Sequence, residues 1–211
     1  MANALNLSHE TQIRLAVDDA LLPSLTSILT VFSSRFPATM LELCAVTTSD
    51  VLSLVHTGSA DLGLMFCNNE FPQGVDLCYV GSLPFNGVVS PTHPLAKLDV
   101  VTATELIPHR QLLIRDIEGQ ALPHCPILSP HVWWGNNFNT INAMVKEGLG
   151  WSFIPAHMAE QYVHQNEMVI MNLSFDHKPW QVPIDRVMAK QQARGPALSW
   201  LADAITHLWN E

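Results

Sequence analysis

The chain has 211 residues, of which 48% are apolar and only 14% charged, and its 19 acidic and 10 basic residues give a formal net charge of -9. A chain of this length forms one large domain or two smaller lobes with a substantial core, so it needs no disulfide or metal to fold. Direct binding of nucleic acid is excluded, because phosphate recognition needs clustered Lys and Arg and the ten in this chain are scattered.

The first third of the chain alternates between strand and helix patterns. Segment 1–11 lacks the basic and apolar regions of a secretory signal. The elements that follow are a strand over 12–17, a helix over 23–36, a strand over 40–46, a helix over 49–56 and a strand over 62–66. The uncharged stretch 20–34 contains Pro23 and several Ser and Thr residues, which indicates a core helix and not a membrane span. Short joints between these elements imply right-handed crossovers and parallel strands, as in the α/β class.

The rest of the chain repeats this α/β pattern, so we expect two lobes. Its first elements are two strands over 77–90 separated near Ser82, a short helix begun by the capping box Thr102-x-x-Glu105, a strand over 111–115 and a loop over 119–131. Its later elements are a helix through Glu147 capped by Asn136, Asn137 or Asn139, strands over 151–154, 168–173 and 182–188, a helix over 155–164 and a last helix from Pro196. Gly58 and Gly148 follow helices, where a positive φ is favoured.

The cysteine and histidine spacings indicate neither a redox pair nor a metal site. Cys44, Cys67, Cys78 and Cys125 have no Cys-x-x-Cys spacing, which favours buried thiols in a reducing compartment. The ten histidines lack a metal-ligand spacing, because His157 and His164 are two helical turns apart and paired ligands on a helix are four residues apart. We therefore expect no metal and no cofactor.

Three segments carry motifs that together cover residues 12–210. They are Ile13 to Val17 with Leu22-Pro23 and Arg35-Phe36-Pro37, His56 to Gly63 with Val88 to Ala96, and Val145 to Pro155. In this order and at these separations they resemble the effector-binding domain of LysR-type transcriptional regulators. The stretch Gly58-Ser-Ala-Asp61-Leu62-Gly63 is similar to the family's Gly-x-x-Asp-Leu-Ala turn, and Gly148-Leu-Gly150 with Ile154-Pro155 is similar to its Gly-x-Gly-x-x-x-Leu-Pro.

The resemblance implies a fold like type II periplasmic binding proteins, with two Rossmann-like lobes joined by a two-strand hinge. Lobe I would comprise 12–87 and 189–211, lobe II would comprise 88–188, and 1–11 would be the remnant of a linker. A small-molecule effector would bind in the cleft between the lobes. Family members carry an N-terminal winged helix-turn-helix domain, so we expect DNA contact through a domain absent from this chain, in a cytoplasmic protein without membrane contact.

Ligands of open α/β sheets bind beyond the carboxyl ends of the strands, where helix N-termini offer free amides. Segments that follow strands therefore supply the candidate effector-binding residues, together with aromatic side chains beside them. These candidates are Asp18, Asp19, Ala20, Leu21, Thr47, Thr48, Ser49, Phe66, Arg115, Trp133, Phe138, Asn139 and Thr140.

Each candidate has a second interpretation. Asp18 and Asp19 disfavour an anionic ligand and favour a ligand with hydrogen-bond donors or positive charge. Alternatively, Asp18 pairs with Arg115, or one of the two acids only caps a helix. The hydroxyls at 47–49 either bind ligand or cap a helix. Arg115 is either a counter-ion or a surface charge. Trp133 and Trp134 form either an aromatic wall or a packing contact between lobes, and Phe66 belongs either to the pocket or to the core.

Three functions compete on these residues. A sensor domain that changes conformation on effector binding agrees best with the resemblance. A solute-binding protein of a transport system would share the fold but needs export. An enzyme needs a nucleophile or an acid/base pair, and only Asp18-Asp19 offers adjacent carboxylates, so no catalytic residue is predicted. The helix over 49–56 is apolar on two faces, which favours a homodimer or tetramer through the lobe faces.

Overall fold

The computed structural model describes residues 10–68, 72–176, 178–191 and 194–209. The chain forms two compact units, unit 1 from Met1–Gly81 with Pro183–Glu211 and unit 2 from Ser82–Val182. Unit 2 begins and ends six residues before the expected lobe II, at 82 instead of 88 and at 182 instead of 188. The strands that connect the units keep the same apolar pattern across the boundary, so the sequence does not mark where one unit ends.

The elements occur in the α/β order that the sequence predicts. In the first part of the chain they are β1 (Gln12–Asp18), α1 (Leu22–Arg35), β2 (Met40–Val46), α2 (Thr48–His56), β3 (Leu62–Phe66) and β4 (Val75–Val89). A single 3-10 turn, Pro94–Lys97, then precedes α3 (Ala103–Leu106), β5 (Gln111–Ile114), β6 (Val132–Gly135), α4 (Phe138–Lys146), β7 (Ser152–Pro155), α5 (Ala156–His164), β8 (Val169–Ile170), β9 (Trp180–Ala189) and α6 (Pro196–Thr206).

Unit 1 is built on parallel strands. β1 pairs in parallel with β2 on one side and with β3 on the other, and β3 pairs antiparallel with β9. The apolar face of α2 packs on this sheet through Val51 and Val55, which meet Met65 and Val187 in one buried cluster. Because the three parallel strands run the same way, their carboxyl ends lie at one edge of the sheet.

The last helix closes unit 1. An aromatic cluster of Phe32, Phe36 and Trp200 joins α1 to α6, with ring centroids 5.2 to 6.1 Å apart. The Glu10 carboxylate accepts hydrogen bonds from the N–H groups of Ala197 and Leu198 at 3.1 and 3.2 Å, so it caps the start of α6. The segment 1–11, expected to be a linker remnant, therefore contains a residue, Glu10, that caps the last helix of unit 1.

Unit 2 contains an antiparallel and a parallel pairing. β4 pairs antiparallel with β7 and β8, and β5 pairs in parallel with β6. Trp151 lies just before β7. Its backbone N–H donates a hydrogen bond to the Arg110 carbonyl at 3.0 Å, and its backbone carbonyl accepts one from the Leu112 N–H at 2.8 Å. A Cβ on Gly150 would lie 2.4 Å from that Arg110 carbonyl oxygen, so only glycine permits this close approach of two backbones.

Several local predictions are confirmed, whereas some strands differ from those predicted. Thr102 and Glu105 form a full capping box, and Gly58 and Gly148 have positive φ. The two strands expected over 77–90 form one strand, β4, because the chain stays extended through Ser82. β6 was not predicted, because four residues with two Trp give too short a pattern. No helix in the described ranges is long and apolar enough to cross a membrane.

Candidate functional site

The carboxyl edge of the unit 1 sheet is organised by the Thr48 hydroxyl. This hydroxyl donates a hydrogen bond to Oδ2 of Asp18 at 2.7 Å and accepts one from the Phe66 N–H at 3.1 Å. The other carboxylate oxygen of Asp18 accepts the Ala20 N–H at 3.2 Å. Thr48, which is 1% exposed, thus connects the ends of β1 and β3 to the start of α2.

Asp18 is a buried carboxyl group with an altered acidity. Its burial, reinforced by the neighbouring Asp19 charge, raises the pKa of Asp18 to about 7, although the bonds from Thr48 and Ala20 oppose this. The group is 3% exposed and is committed to its partners within unit 1. Asp18 therefore fixes the geometry of the edge, while Asp19 keeps part of its surface in solvent.

The start of α2 carries three hydroxyl groups with different roles. Thr47 caps the helix, since its hydroxyl accepts the Asp50 N–H and donates to Oδ2 of Asp50 at 2.6 Å. Thr48 is occupied as described above. Ser49 is half-buried, and across the part of the chain that the structure describes its hydroxyl forms no hydrogen bond. Of the three, Ser49 has a hydroxyl available to a ligand.

Three other candidates of unit 1 lie in the core. The side chains of Ala20, Leu21 and Phe66 are 0% exposed. Their backbone is enclosed as well, since the N–H groups of Ala20 and Leu21 bond Asp18 and that of Phe66 bonds Thr48. The apolar side chains support the edge from beneath.

The carboxyl edge of the β5–β6 pair in unit 2 presents a cation beside an aromatic ring. Arg115 is exposed, and its guanidinium carbon lies 5.4 Å from the centroid of Trp134. The backbone N–H of Arg115 donates a hydrogen bond to the Gly135 carbonyl at 3.0 Å, which anchors Arg115 at the end of β6. Asp116, which follows Arg115, is buried and accepts the Gln120 N–H at 2.7 Å, so it shapes the turn.

The first turn of α4 lies at this same edge. Asn137 caps the helix, because its Oδ1 accepts the Thr140 N–H at 2.8 Å. Asn139 and Thr140 are exposed. Phe138 is 2% exposed and packs edge-on against Phe85 at 5.9 Å, so its side chain belongs to the core of unit 2.

Trp133 lies apart from the other unit 2 candidates. Neighbouring residues of a strand point to opposite faces, so Trp134 meets Arg115 while Trp133 meets Arg110, whose guanidinium carbon is 3.7 Å from the ring centroid. Sequence reasoning treated Trp133 and Trp134 together as one aromatic wall, put only Trp133 among the effector-binding candidates and did not name Arg110. The pairing of β5 with β6 separates the two tryptophans, and β6 itself was not predicted.

Metal ligands do not cluster in the described ranges. Among those residues, no group of three or more His, Cys, Asp or Glu side chains is arranged to hold a metal ion. The chemistry available at the two carboxyl edges is hydrogen bonding, charge and aromatic contact.

Comparisons with known proteins agree with this architecture. A family model described as LysR substrate binding domain matches residues 8–210. The HTH-type transcriptional regulator AceR of Acinetobacter baumannii is 27% identical over 209 residues, which cover 97% of this chain and 69% of AceR. These matches favour a regulator's domain over a transport receptor.

Solved structures show the same fold at low sequence identity. The effector binding domain of QuiR in complex with shikimate has a TM-score of 0.71 and 14% identity, covering 93% of this chain and 96% of that one. The regulatory domain of CcmR from Synechocystis PCC6803 in complex with 2-PG has a TM-score of 0.71 and 16% identity, covering 92% and 95%. The two-unit architecture is thus that of effector-binding domains with the type II periplasmic-binding-protein-like fold.

Proposed function

Because the chain belongs to the LysR substrate-binding domain family, we propose that it is the ligand-sensing domain of a LysR-type transcriptional regulator. The family match over residues 8–210 is the observation that carries this proposal. The family is one of transcriptional regulators and not of enzymes, and we propose no catalytic activity for this chain. We propose further that the regulator is cytoplasmic and acts as a homodimer or tetramer.

We propose that each unit carries effector-binding groups at the carboxyl edge of its strands. In unit 1 the polar groups that keep part of their surface in solvent are Ser49 and Asp19. In unit 2 they are Arg115, Trp134 and the first turn of α4. The acid at the edge of unit 1 suits an effector group that donates hydrogen bonds or carries positive charge, and the cation at the edge of unit 2 suits an acceptor group.

The DNA partner would be reached through a helix-turn-helix domain outside these 211 residues. The net charge of -9 agrees with the assignment of DNA binding to another domain, because direct phosphate binding would need clustered cations. Effector binding shifts transcription if it stabilises one conformation of the sensor domain more than another, which requires only a difference in affinity between the two states.

The test is a thermal-shift screen of a metabolite library against the purified chain, followed by titration of each hit against single-site variants. We expect a hit whose affinity falls about tenfold or more in Arg115→Gln and in Ser49→Ala, because each substitution removes a polar contact. Arg35→Gln, in unit 1 and outside both edges, is the matched control. Hits that bind all variants equally would contradict the assignment of the edges.

A second arm tests the chemistry of unit 1. The proposed donor or cation on the effector predicts that Asp19→Asn weakens binding. A screen that yields only simple aliphatic carboxylates, with affinity unchanged by Asp19→Asn, would overturn this preference and leave the sensor function itself intact.

A further inference from the structure

Unit 2 contains a cavity at the amino ends of β5 and β6, at the end of these strands opposite to Arg115. Its volume is about 520 Å³, and it is lined by Pro108, Arg110, Pro130, His131, Val132 and Trp133. Arg110 and His131 each directly precede one of the two paired strands. Within unit 2 the cavity therefore lies apart from the proposed effector edge, and its role does not depend on the proposed function.

Arg110 is held rigidly in this cavity. Its guanidinium carbon lies 3.7 Å from the centroid of the Trp133 ring, which is the distance of a stacked cation. One guanidinium N–H donates to the Leu149 carbonyl at 3.1 Å. Its backbone carbonyl accepts the Trp151 N–H, and Gly150 permits that contact. Both ends of the residue are thus fixed before any ligand binds, which lowers the entropic cost of binding.

The charge of Arg110 is not neutralised within the described ranges. None of the salt bridges found there includes Arg110, although the chain carries an excess of nine negative charges. A guanidinium has five N–H donors in a planar fork that matches a carboxylate, and the Leu149 contact uses one of them. An unpaired guanidinium at the wall of a cavity is a recognition element for a planar oxyanion.

The remaining wall suits an organic body attached to the anion. The Trp133 side chain is 46% exposed although Arg110 lies over its ring. Pro108 and Pro130 add apolar surface, and the exposed His131 adds a polar group next to the cation. Exposed tryptophan and arginine in contact are typical of binding surfaces, where both residue types are enriched.

We propose that this cavity binds the carboxylate of a small organic acid, with Arg110 as its counter-ion and Trp133 and the two prolines against its apolar part. This is a second ligand site within unit 2. It would let the domain respond to an anion independently of an effector at the carboxyl edges.

Benzoate is the probe, and neutral benzamide, which has the same ring, is its matched control. The chain is labelled with ¹⁵N, and the indole N–H resonances are followed by NMR during each titration. Trp133→Phe identifies the Trp133 resonance by its disappearance. We expect benzoate to shift this resonance in a saturable manner. Benzamide should bind with a dissociation constant at least about tenfold higher, because it cannot form the charge-assisted bond.

Variants then locate the site. Arg110→Gln should weaken benzoate binding about tenfold or more, whereas Arg35→Gln, which removes another arginine near a tryptophan, should leave it unchanged. Arg115→Gln is measured as well, because weakening there would place benzoate at the proposed effector edge of unit 2. Thermal unfolding checks that each variant is folded, and Arg110→Lys, which keeps the charge but loses the planar fork, replaces Arg110→Gln if that variant does not fold. Equal binding of benzamide, no saturable shift, or weakening by Arg115→Gln but not by the Arg110 variant would each overturn the proposal.

Discussion

Thr48 donates a hydrogen bond of 2.7 Å to the Asp18 carboxyl group while both side chains are buried in unit 1. The same hydroxyl accepts the N–H of Phe66, so it satisfies two groups that have no access to water. This hydroxyl group thus stabilises the carboxyl edge of unit 1 that we propose for effector binding.

Thr48→Val should lower the free energy of unfolding by about 2–3 kcal/mol, because it leaves a buried carboxyl oxygen and a buried N–H without partners. Urea denaturation measures the change. Thr48→Ser keeps the hydroxyl and should retain most of the stability. A valine variant as stable as the wild type would show that the hydroxyl is dispensable.

The pKa of Asp18, raised from 3.8 to about 7 by burial, predicts an unusual pH dependence of stability. Between about pH 4 and pH 7 the folded state keeps a proton that the unfolded state releases, so stability falls as pH rises through this window. The contribution is complete below about pH 4 and lost above about pH 7, and it amounts to about 4 kcal/mol.

Asp18→Asn cannot titrate, so its unfolding free energy should change less between pH 4.5 and pH 8 than that of the wild type, when both are measured by urea denaturation. Asp203→Asn, at an exposed position of α6, should follow the wild type. The same pH dependence in the wild type and in Asp18→Asn would contradict the assignment of this titration to Asp18.

Gly150→Ala should destabilise unit 2 by about 1–3 kcal/mol, since its Cβ would lie 2.4 Å from the Arg110 carbonyl oxygen and neither backbone can easily move. The thermal midpoint measures this loss. Gly119→Ala, where a Cβ meets nothing within 4 Å but φ is +91°, isolates the smaller cost of backbone strain. Equal losses in both variants would argue against the close contact.

Asn142→Leu should stabilise the protein by about 1–3 kcal/mol. Asn142 is 0% exposed, and neither polar atom of its amide has a partner among the described residues, so a leucine of similar size removes a desolvation cost. Asn139→Leu, on the exposed face of the same helix, is the control and should give no such gain. A loss of stability in Asn142→Leu would indicate that a bound water satisfies the amide in solution.

Glu10→Ala should cost about 1 kcal/mol, because it removes the carboxylate that accepts two N–H groups at the start of α6. Glu10→Gln keeps one acceptor oxygen and should lose less. Glu160→Ala, at an exposed position of α5, is the control. Chemical denaturation of the three variants ranks them, and an order in which Glu160→Ala loses most would refute the capping role.

Local signals in the sequence were enough for the α/β class and for most elements. The capping box of Thr102 with Glu105 and the glycines at 58 and 148 act within a few residues, so their geometry follows from their neighbours. The predicted placement of Thr47 and Thr48 at the start of a helix after a strand is of the same kind.

Features that depend on pairing between distant segments were not predictable. Glu10 and Ala197 are 187 positions apart, and nothing in either segment specifies the other. Trp133 and Trp134 point to opposite faces because both lie in β6, and this four-residue strand, which forms by pairing with β5, has no pattern that reveals it. The occupation of the Thr48 hydroxyl by Asp18 and Phe66 likewise requires three strand and helix ends to meet.

The division of the chain into two units also sets an order of folding during synthesis. Unit 2 is one continuous stretch, 82–182, whereas unit 1 needs both 1–81 and 183–211. Since domains form as their residues leave the ribosome, unit 2 can complete its core while unit 1 still lacks α6 and its buried Leu198, Leu201 and Ile205. The nascent chain therefore exposes the unfinished apolar face of unit 1 until α6 has emerged, which makes that interval the stage most open to chaperone binding.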